Sequence, residues 1–326
     1  MKRLILTSLS GVKLMRSNLA EFLIPFSGFR FVWGPLPSLD ELASYLGSGS
    51  GEPGGGTHWP DYVSWPRDLG APKHVGFIEF CQLFETVELW FDRYPNDQLL
   101  LIWLLDYLRG YPDLLPRLKL RLVSFDFVEI PLEGLGKWQV PVVDITKAEL
   151  ETASLCWQAY RAPTPQACVD LLGQDLSALP LFSPVMSELI EELPSRATGL
   201  GATEMRLLEL IAGGFGRTNA LFYLQSLLRR RVFNDDELGY LIEGLAHGPR
   251  PAIAGLDDEL RTLDREKDPG RGEAFRRSEL SLTEFGKAIL AHREDFSRHN
   301  PIHRWWGGTE LTNDNLWRRD AALIAP

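Results

Sequence analysis

The sequence is poor in the residues that most often announce a reaction. Of 326 residues only three are cysteine and six histidine. Cys81, Cys156 and Cys168 are widely spaced and form no C-x-x-C pair, the pattern expected of core thiols in a reducing cytoplasm. Basic charge is also short: 34 Lys and Arg against 44 Asp and Glu leave a net charge of −10 and a pI near 5.2. Broad binding to polyanions needs clustered positive charge, so that function class is disfavoured. The deficit is uneven, with −8 on residues 1–202 and −2 on residues 203–326. No apolar run approaches the roughly 20 residues that span a bilayer. The basic-then-apolar start at Met1–Leu9 is interrupted by Gly11, Lys13 and Arg16 before a signal core could form. These absences predict a soluble, cytoplasmic protein without membrane contact.

What is present is core. Hydrophobic residues make up 44% and aromatics 11%, and this length predicts two or three domains. Arg3–Ser8 reads as a buried first strand, 12–23 as a helix ending before Pro25, and Phe29–Trp33 as a second strand stopped by Gly34-Pro35. Residues 47–57 are glycine-rich, but they follow no strand and lack the G-K-[ST] of a nucleotide loop, so a surface loop is expected. Val87–Phe91 reads as a third strand and Leu118–Phe125 as a fourth. Between them Asn96 is placed to cap a helix over 97–109 whose run Leu99–Leu105 is wholly apolar. Strands alternating with helices predict an α/β, Rossmann-like domain with a mainly parallel sheet over 1–144. A helical bridge is expected over 145–198, opened by the capping box Thr146–Glu149. Helices near 203–212, 218–230 and 235–246, then apolar 251–254 and 279–282, then a helix capped by Thr283, follow the order of a winged helix. A winged-helix-like α+β domain with a terminal hairpin is therefore expected over 199–326.

The segment Trp90-Phe-Asp-Arg-Tyr-Pro-Asn-Asp-Gln-Leu99 resembles the W-F-E-H-D-x-x-D-Q-L motif of an uncharacterised bacterial domain-of-unknown-function family. Trp157–Pro163, Ser177–Pro180, Gly199–Glu204, Leu282–Leu290, Ile302–Gly308 and Leu316–Asp320 are similar to its other segments in kind and order. The resemblance implies architecture more than activity. It also marks departures: Thr7–Gly11 stands where the family has a Gly-Asp-Ser turn, and Asp92-Arg93-Tyr94 replaces Glu-His-Asp.

Ligands of parallel sheets lie at the carboxyl ends of the strands. The ligand-binding candidates are therefore Ser8, Ser10, Trp33, Asp92, Arg93, Asp97, Gln98 and Asp126. Ser8 and Ser10 could meet an anion at a helix N-terminus. Asp92, Asp97 and Asp126 could hold a hard cation such as Mg²⁺, the oxygen-rich arrangement of a metal-dependent hydrolase or transferase acting on a phosphate-bearing molecule. No G-x-S-x-G elbow is present to support a catalytic serine. His292, His299 and His303 lack a cysteine neighbour, and Trp305, Trp306 and Trp317 read as hairpin core. In the C-terminal domain Arg229, Arg230, Arg231, Arg271, Arg276 and Arg277 are the nucleic-acid candidates, while Asp235, Asp236 and Glu237 at the reading end of the third helix would repel phosphates. A protein partner or self-association is expected ahead of DNA. The reading is a regulatory or ligand-sensing protein, with the metal enzyme as its alternative.

Overall fold

The computed structural model describes residues 2–16, 19–48, 58–62, 75–125, 127, 140–227, 232–257, 262 and 269–326. Asp126, Arg229, Arg230, Arg231 and 49–57 of the glycine-rich segment lie outside the described residues. The chain divides into two compact units, Met1–Arg161 with Asp170–Met186, and Ala162–Val169 with Ser187–Pro326. The residues expected as a bridge are thus shared between the two.

The first unit is α/β. Its elements are β1 (Arg3–Ser8), β2 (Phe22–Phe26), α1 (Leu39–Leu46), α2 (Phe77–Cys81), β3 (Thr86–Phe91), α3 (Pro95–Leu108), β4 (Leu118–Leu122), β5 (Val142–Asp144) and α4 (Lys147–Tyr160). The five strands run in the order β2-β1-β3-β4-β5; the first four are parallel and β5 is antiparallel.

Two expectations are corrected at the start. The stretch after β1 forms a 3-10 helix over Leu9–Arg16, and the second strand is Phe22–Phe26 rather than Phe29–Trp33. Pro25 argued for a break because proline cannot donate to a ladder, yet β2 is an edge strand, where a missing N–H is tolerated. Phe29 and Phe31 instead stack on each other 5.5 Å apart and meet the Trp103 ring edge-on. Aromatic content that favours a strand is here core filling for a turn. The fourth strand is shorter than expected, ending at Leu122, and β5 had no sequence signal beyond its brevity.

Register puts Phe22, Leu4, Val87 and Leu118, and likewise Ile24, Leu6, Leu89 and Leu120, across one face. Helix α3 covers that face, since Phe26 meets Trp103 at 5.9 Å. On its far side α3 packs along α4. Burial on two sides explains why the helix is apolar around its whole circumference. The opposite face holds Ile5, Leu23 and Trp90 under Leu14, Val123, Phe127 and Val140. It also carries Glu88, which is 2% exposed and accepts from both Arg121 nitrogens at 2.9 and 3.0 Å and from Trp90 Nε1 at 2.8 Å.

Helices α5 (Gln166–Leu171) and α6 (Phe182–Glu191) lie across the division. The second unit continues with α7 (Ala202–Ala212), α8 (Thr218–Leu227), α9 (Asp235–Ala246), β6 (Ile253–Ala254), α10 (Pro269–Arg277), β7 (Ser281–Leu282) and α11 (Glu284–Leu290). Two hairpins close it, β8 (His303–Trp306) with β9 (Thr309–Thr312), and β10 (Arg318–Arg319) with β11 (Leu323–Ile324). Asn234 and Glu237 form a capping box on α9, and Thr283 caps α11. Trp306 is buried in its hairpin and donates to the Leu189 carbonyl at 2.7 Å. No helix among the described residues is long and apolar enough to cross a membrane.

The two-sided burial of α3 sets its sensitivity. Leu104 is fully buried, so Leu104→Ala is expected to lower unfolding free energy by about 2–5 kcal/mol, read as a shift of the urea midpoint at unchanged slope. A loss below about 1 kcal/mol would place Leu104 outside the packed core.

Candidate functional site

The strand order turns around between β1 and β3: from β1 the chain moves to β2 on one side, and from β3 to β4 on the other. At such a switch point the loops leaving two adjacent strands diverge and leave a crevice at the carboxyl edge. Ser8 ends β1 here, and Asp92 follows β3.

The local sequence converges these groups. Thr7 is fully buried and its hydroxyl donates to the Trp90 carbonyl at 2.6 Å, pinning the end of β1 to β3. A Cβ at Gly11 would run into the Thr7 side chain, so only glycine lets the 3-10 turn fold back over that strand end. This turn carries Ser10 alongside Ser8, with their hydroxyls 2.6 Å apart. Both serines donate to Asp97 Oδ2, Ser10 at 2.6 Å, and Ser10 lies 3.1 Å from Asp92 Oδ2. Pro95 at the first position of α3 starts the helix, which places Asp97 in its first turn.

Asn96 does not cap α3. The cap position is Tyr94, with no side-chain cap bond. Asn96 Oδ1 instead accepts from the Phe31 amide at 2.8 Å and its Nδ2 reaches the Phe29 carbonyl at 3.4 Å, which holds the 29–31 turn against the helix start. Gln98 is 1% exposed and donates to the Asp92 carbonyl at 2.6 Å. The Tyr94 amide donates to Asp92 Oδ1 at 2.9 Å.

Four of the expected ligand residues therefore meet in one hydrogen-bonded cluster, Ser8, Ser10, Asp92 and Asp97, with Gln98 bracing its backbone. Arg93 is exposed beside it. Trp33 sits in a turn seven residues beyond the end of β2, not at a strand end. The third carboxylate expected of a metal set, Asp126, is outside the described residues. Among the described residues no three His, Cys, Asp or Glu side chains are grouped to hold a metal ion. Thr7 and Arg30 are the members that sequence reasoning missed. Thr7 could have been found by its alternation with Ile5 on a buried strand; Arg30 carried no signal, because its loop was read as a strand.

The electrostatics follow from burial. Asp92 is fully buried and Asp97 is 7% exposed. Burial, then the Asp97 charge, push the Asp92 carboxyl well above its ordinary range. Burial also raises Asp97, opposed by the serine hydroxyls, by Asp92 and by the Arg30 charge. Of the two acids, Asp92 is the one whose charged form burial and its neighbour disfavour more strongly. Both serine hydroxyls donate to the acids.

In the second unit a groove of about 980 Å³ is lined by Ile211, Phe215 and Leu290 together with Arg217, Glu279 and Lys287. Phe215 is 48% exposed.

The acid pair makes a signed pH prediction. Above the ordinary Asp value of 3.8 the unfolded chain has released a proton that the native Asp92 still holds, so stability falls as pH rises until Asp92 itself ionises. Asp92→Asn can donate toward Asp97 and cannot ionise. Its urea midpoint is expected to exceed that of the parent protein at pH 8 and to converge with it toward pH 4; parallel curves would show that Asp92 does not hold the proton. Compared with protein-family models and with curated proteins, the chain matches none.

Proposed function

We propose that the first unit is a small-molecule-binding domain whose ligand contacts the Ser8–Ser10–Asp92–Asp97 cluster, and that the chain is regulatory. One observation carries the reading. Polar side chains more than 80 residues apart in sequence are gathered at the sheet's switch point, where core packing alone asks for apolar groups. The cluster is built of acid and hydroxyl side chains, so the ligand brings hydroxyl or amine groups, as on a polar metabolite. The W-F-D-R-Y-P-N-D-Q-L stretch is, on this reading, a reduced form of the motif it resembles, with Asp92, Asp97 and Gln98 kept inside.

The second unit is proposed as a winged-helix-like contact module. The order of α7, an extended residue at Arg217, α8, α9, β6, β7 and α11 supports it, with α10 inserted between the two strands. So does the lateral pairing of Arg217 with Glu279, in which the Leu280 amide donates to the Gly216 carbonyl at 2.7 Å. A protein partner is favoured over DNA. The first turn of α9 is acidic, Arg277 is paired with Glu273 at 2.7 Å, and Arg271 is bonded to Thr262 at 2.8 Å. The groove beside Phe215 suits a protein surface better than a phosphate backbone.

Two experiments test these readings. A thermal-shift screen of nucleotides, metals and polar metabolites is expected to yield a compound that raises Tm of the parent protein but not of Asp92→Ala or Asp97→Ala. Equal stabilisation of all three would move the site elsewhere. In a gel-shift titration no duplex is expected to bind at physiological salt; binding that falls with salt and disappears in the Arg276→Glu, Arg277→Glu double variant would overturn the protein-contact reading.

A further inference from the structure

The second unit contains a group of charged residues that the proposed function does not use, at the junction of α6, α7 and β8. Glu192 follows the last turn of α6 and is 9% exposed. Its Oε2 accepts from the Thr203 amide at 3.1 Å and its Oε1 from the Thr203 hydroxyl at 2.7 Å. Glu204, one residue on, accepts from the Gly201 amide at 2.8 Å and from Arg304 Nη1 of β8 at 2.8 Å. The other Arg304 terminal nitrogen reaches the Glu192 carbonyl oxygen at 3.5 Å. Gly201 is required by the closeness of this packing, since a Cβ there would sit 2.7 Å from the Glu192 carbonyl oxygen.

The charged groups that face Glu192 are Glu204 from α7 and Arg304 from β8. Two carboxyl groups lie near one guanidinium, which bonds the Glu204 carboxylate and only the backbone carbonyl of Glu192, and the imbalance is held inside the protein. A surplus negative charge in such a place is relieved most simply by a proton. Glu192 is the one to take it. Glu204 has the direct ion pair with Arg304, whereas Glu192 has only neutral donors on its carboxyl oxygens. Thr203 suits both states: its hydroxyl donates to the carboxylate and, on rotation, accepts from the carboxylic acid.

We propose that Glu192, Glu204 and Arg304 form a proton-operated clasp that fixes the start of α7 to the β8–β9 hairpin. With Glu192 protonated, Glu204 and Arg304 make a balanced pair and the clasp is closed. When Glu192 loses its proton, a second negative charge competes for Arg304 and the first turn of α7 loosens. Burial, and next to it the neighbouring Glu204, push the Glu192 carboxyl up to about 7 against the opposing Thr203 bonds and Arg304, which sets the working range of the clasp near neutrality. Helix α7 packs on α9, β7 and α11, so the proton state reaches the elements proposed for partner contact.

The sign is fixed by linkage. Between the ordinary Glu value of 4.5 and about 7 the native chain holds a proton that the unfolded chain has released, so the clasp's contribution is full below that window and lost as pH rises through it. From pH 5 to 7 the loss amounts to about 40-fold in the folding equilibrium. The test is a carboxyl-carbon NMR titration of the full chain labelled at glutamate, with the Glu192 resonance assigned by its absence in Glu192→Gln. The expected result is one glutamate titrating near 7, together with hydrogen exchange over 201–212 that is faster at pH 8 than at pH 6 after correction for intrinsic rates. Glu192→Gln, which mimics the protonated acid, is expected to remove that pH difference, and Arg304→Met to move the titration upward. If every glutamate titrates below about 5.5, or if the exchange difference persists in Glu192→Gln, the clasp does not exist. The titration of the unaltered protein decides the matter even if the variants fold poorly.

Discussion

Helix α3 is confined between β3 and α4, and much of the first unit follows from that confinement. A helix buried on two sides can be apolar all round, and its first turn is almost wholly buried. Asp97 in that turn is therefore desolvated whatever its intrinsic preference. The positive end of the helix favours a carboxylate there, but burial outweighs it and the residue must find donors inside the protein. Ser8 at the end of β1 and Ser10 in the 3-10 turn after it supply them. The pairing of a helix start with a neighbouring strand end turns a packing constraint into a polar cluster.

The two units solve the same electrostatic difficulty in different ways. In the first, two aspartates lie together, and burial disfavours the charged form of Asp92 more strongly while Arg30 acts on Asp97 from nearby. In the second, a fixed guanidinium balances one of two glutamates. Both clusters tie sequence-distant segments together at a helix N-terminus, so each reports on tertiary rather than local order. Their cost is that folding stability becomes a function of pH in two separate places.

Much of the fold was legible in the sequence wherever periodicity and caps act locally. The parallel α/β arrangement, the apolar α3, the capping box at Thr146, and the bounds of α7, α9 and α11 all follow from spacing and side-chain chemistry within a few residues. The misreadings share one cause, tertiary context overriding a local rule. Pro25 reads as a break because strand position at the edge of a sheet is not written in the strand itself. Phe29–Trp33 reads as a strand because aromatic turns that fill a core look like strands. Asn96 reads as a cap, but the Phe29 and Phe31 backbone claims it. For the site, the acidic turn was visible and so were the serines. That they would bond one another was not, because adjacency of β1 and β3 is a property of topology. Arg30 has no local signal because the Phe29–Trp33 segment reads as a strand.

The proline that obscured β2 also has a protective meaning. A five-stranded open sheet has two edges, and each is a template on which another chain could add a strand. On one edge Pro25 removes a donor from the middle of β2. On the other, β5 is only three residues long and runs antiparallel, with Asp144 held to Lys119 on the neighbouring strand. Neither border offers a long, regular row of free amides and carbonyls. The sheet can carry an apolar face as large as the one under α3 without inviting copies of itself to extend it, and self-templated aggregation is blocked by one imino acid at one border and by sheer shortness at the other.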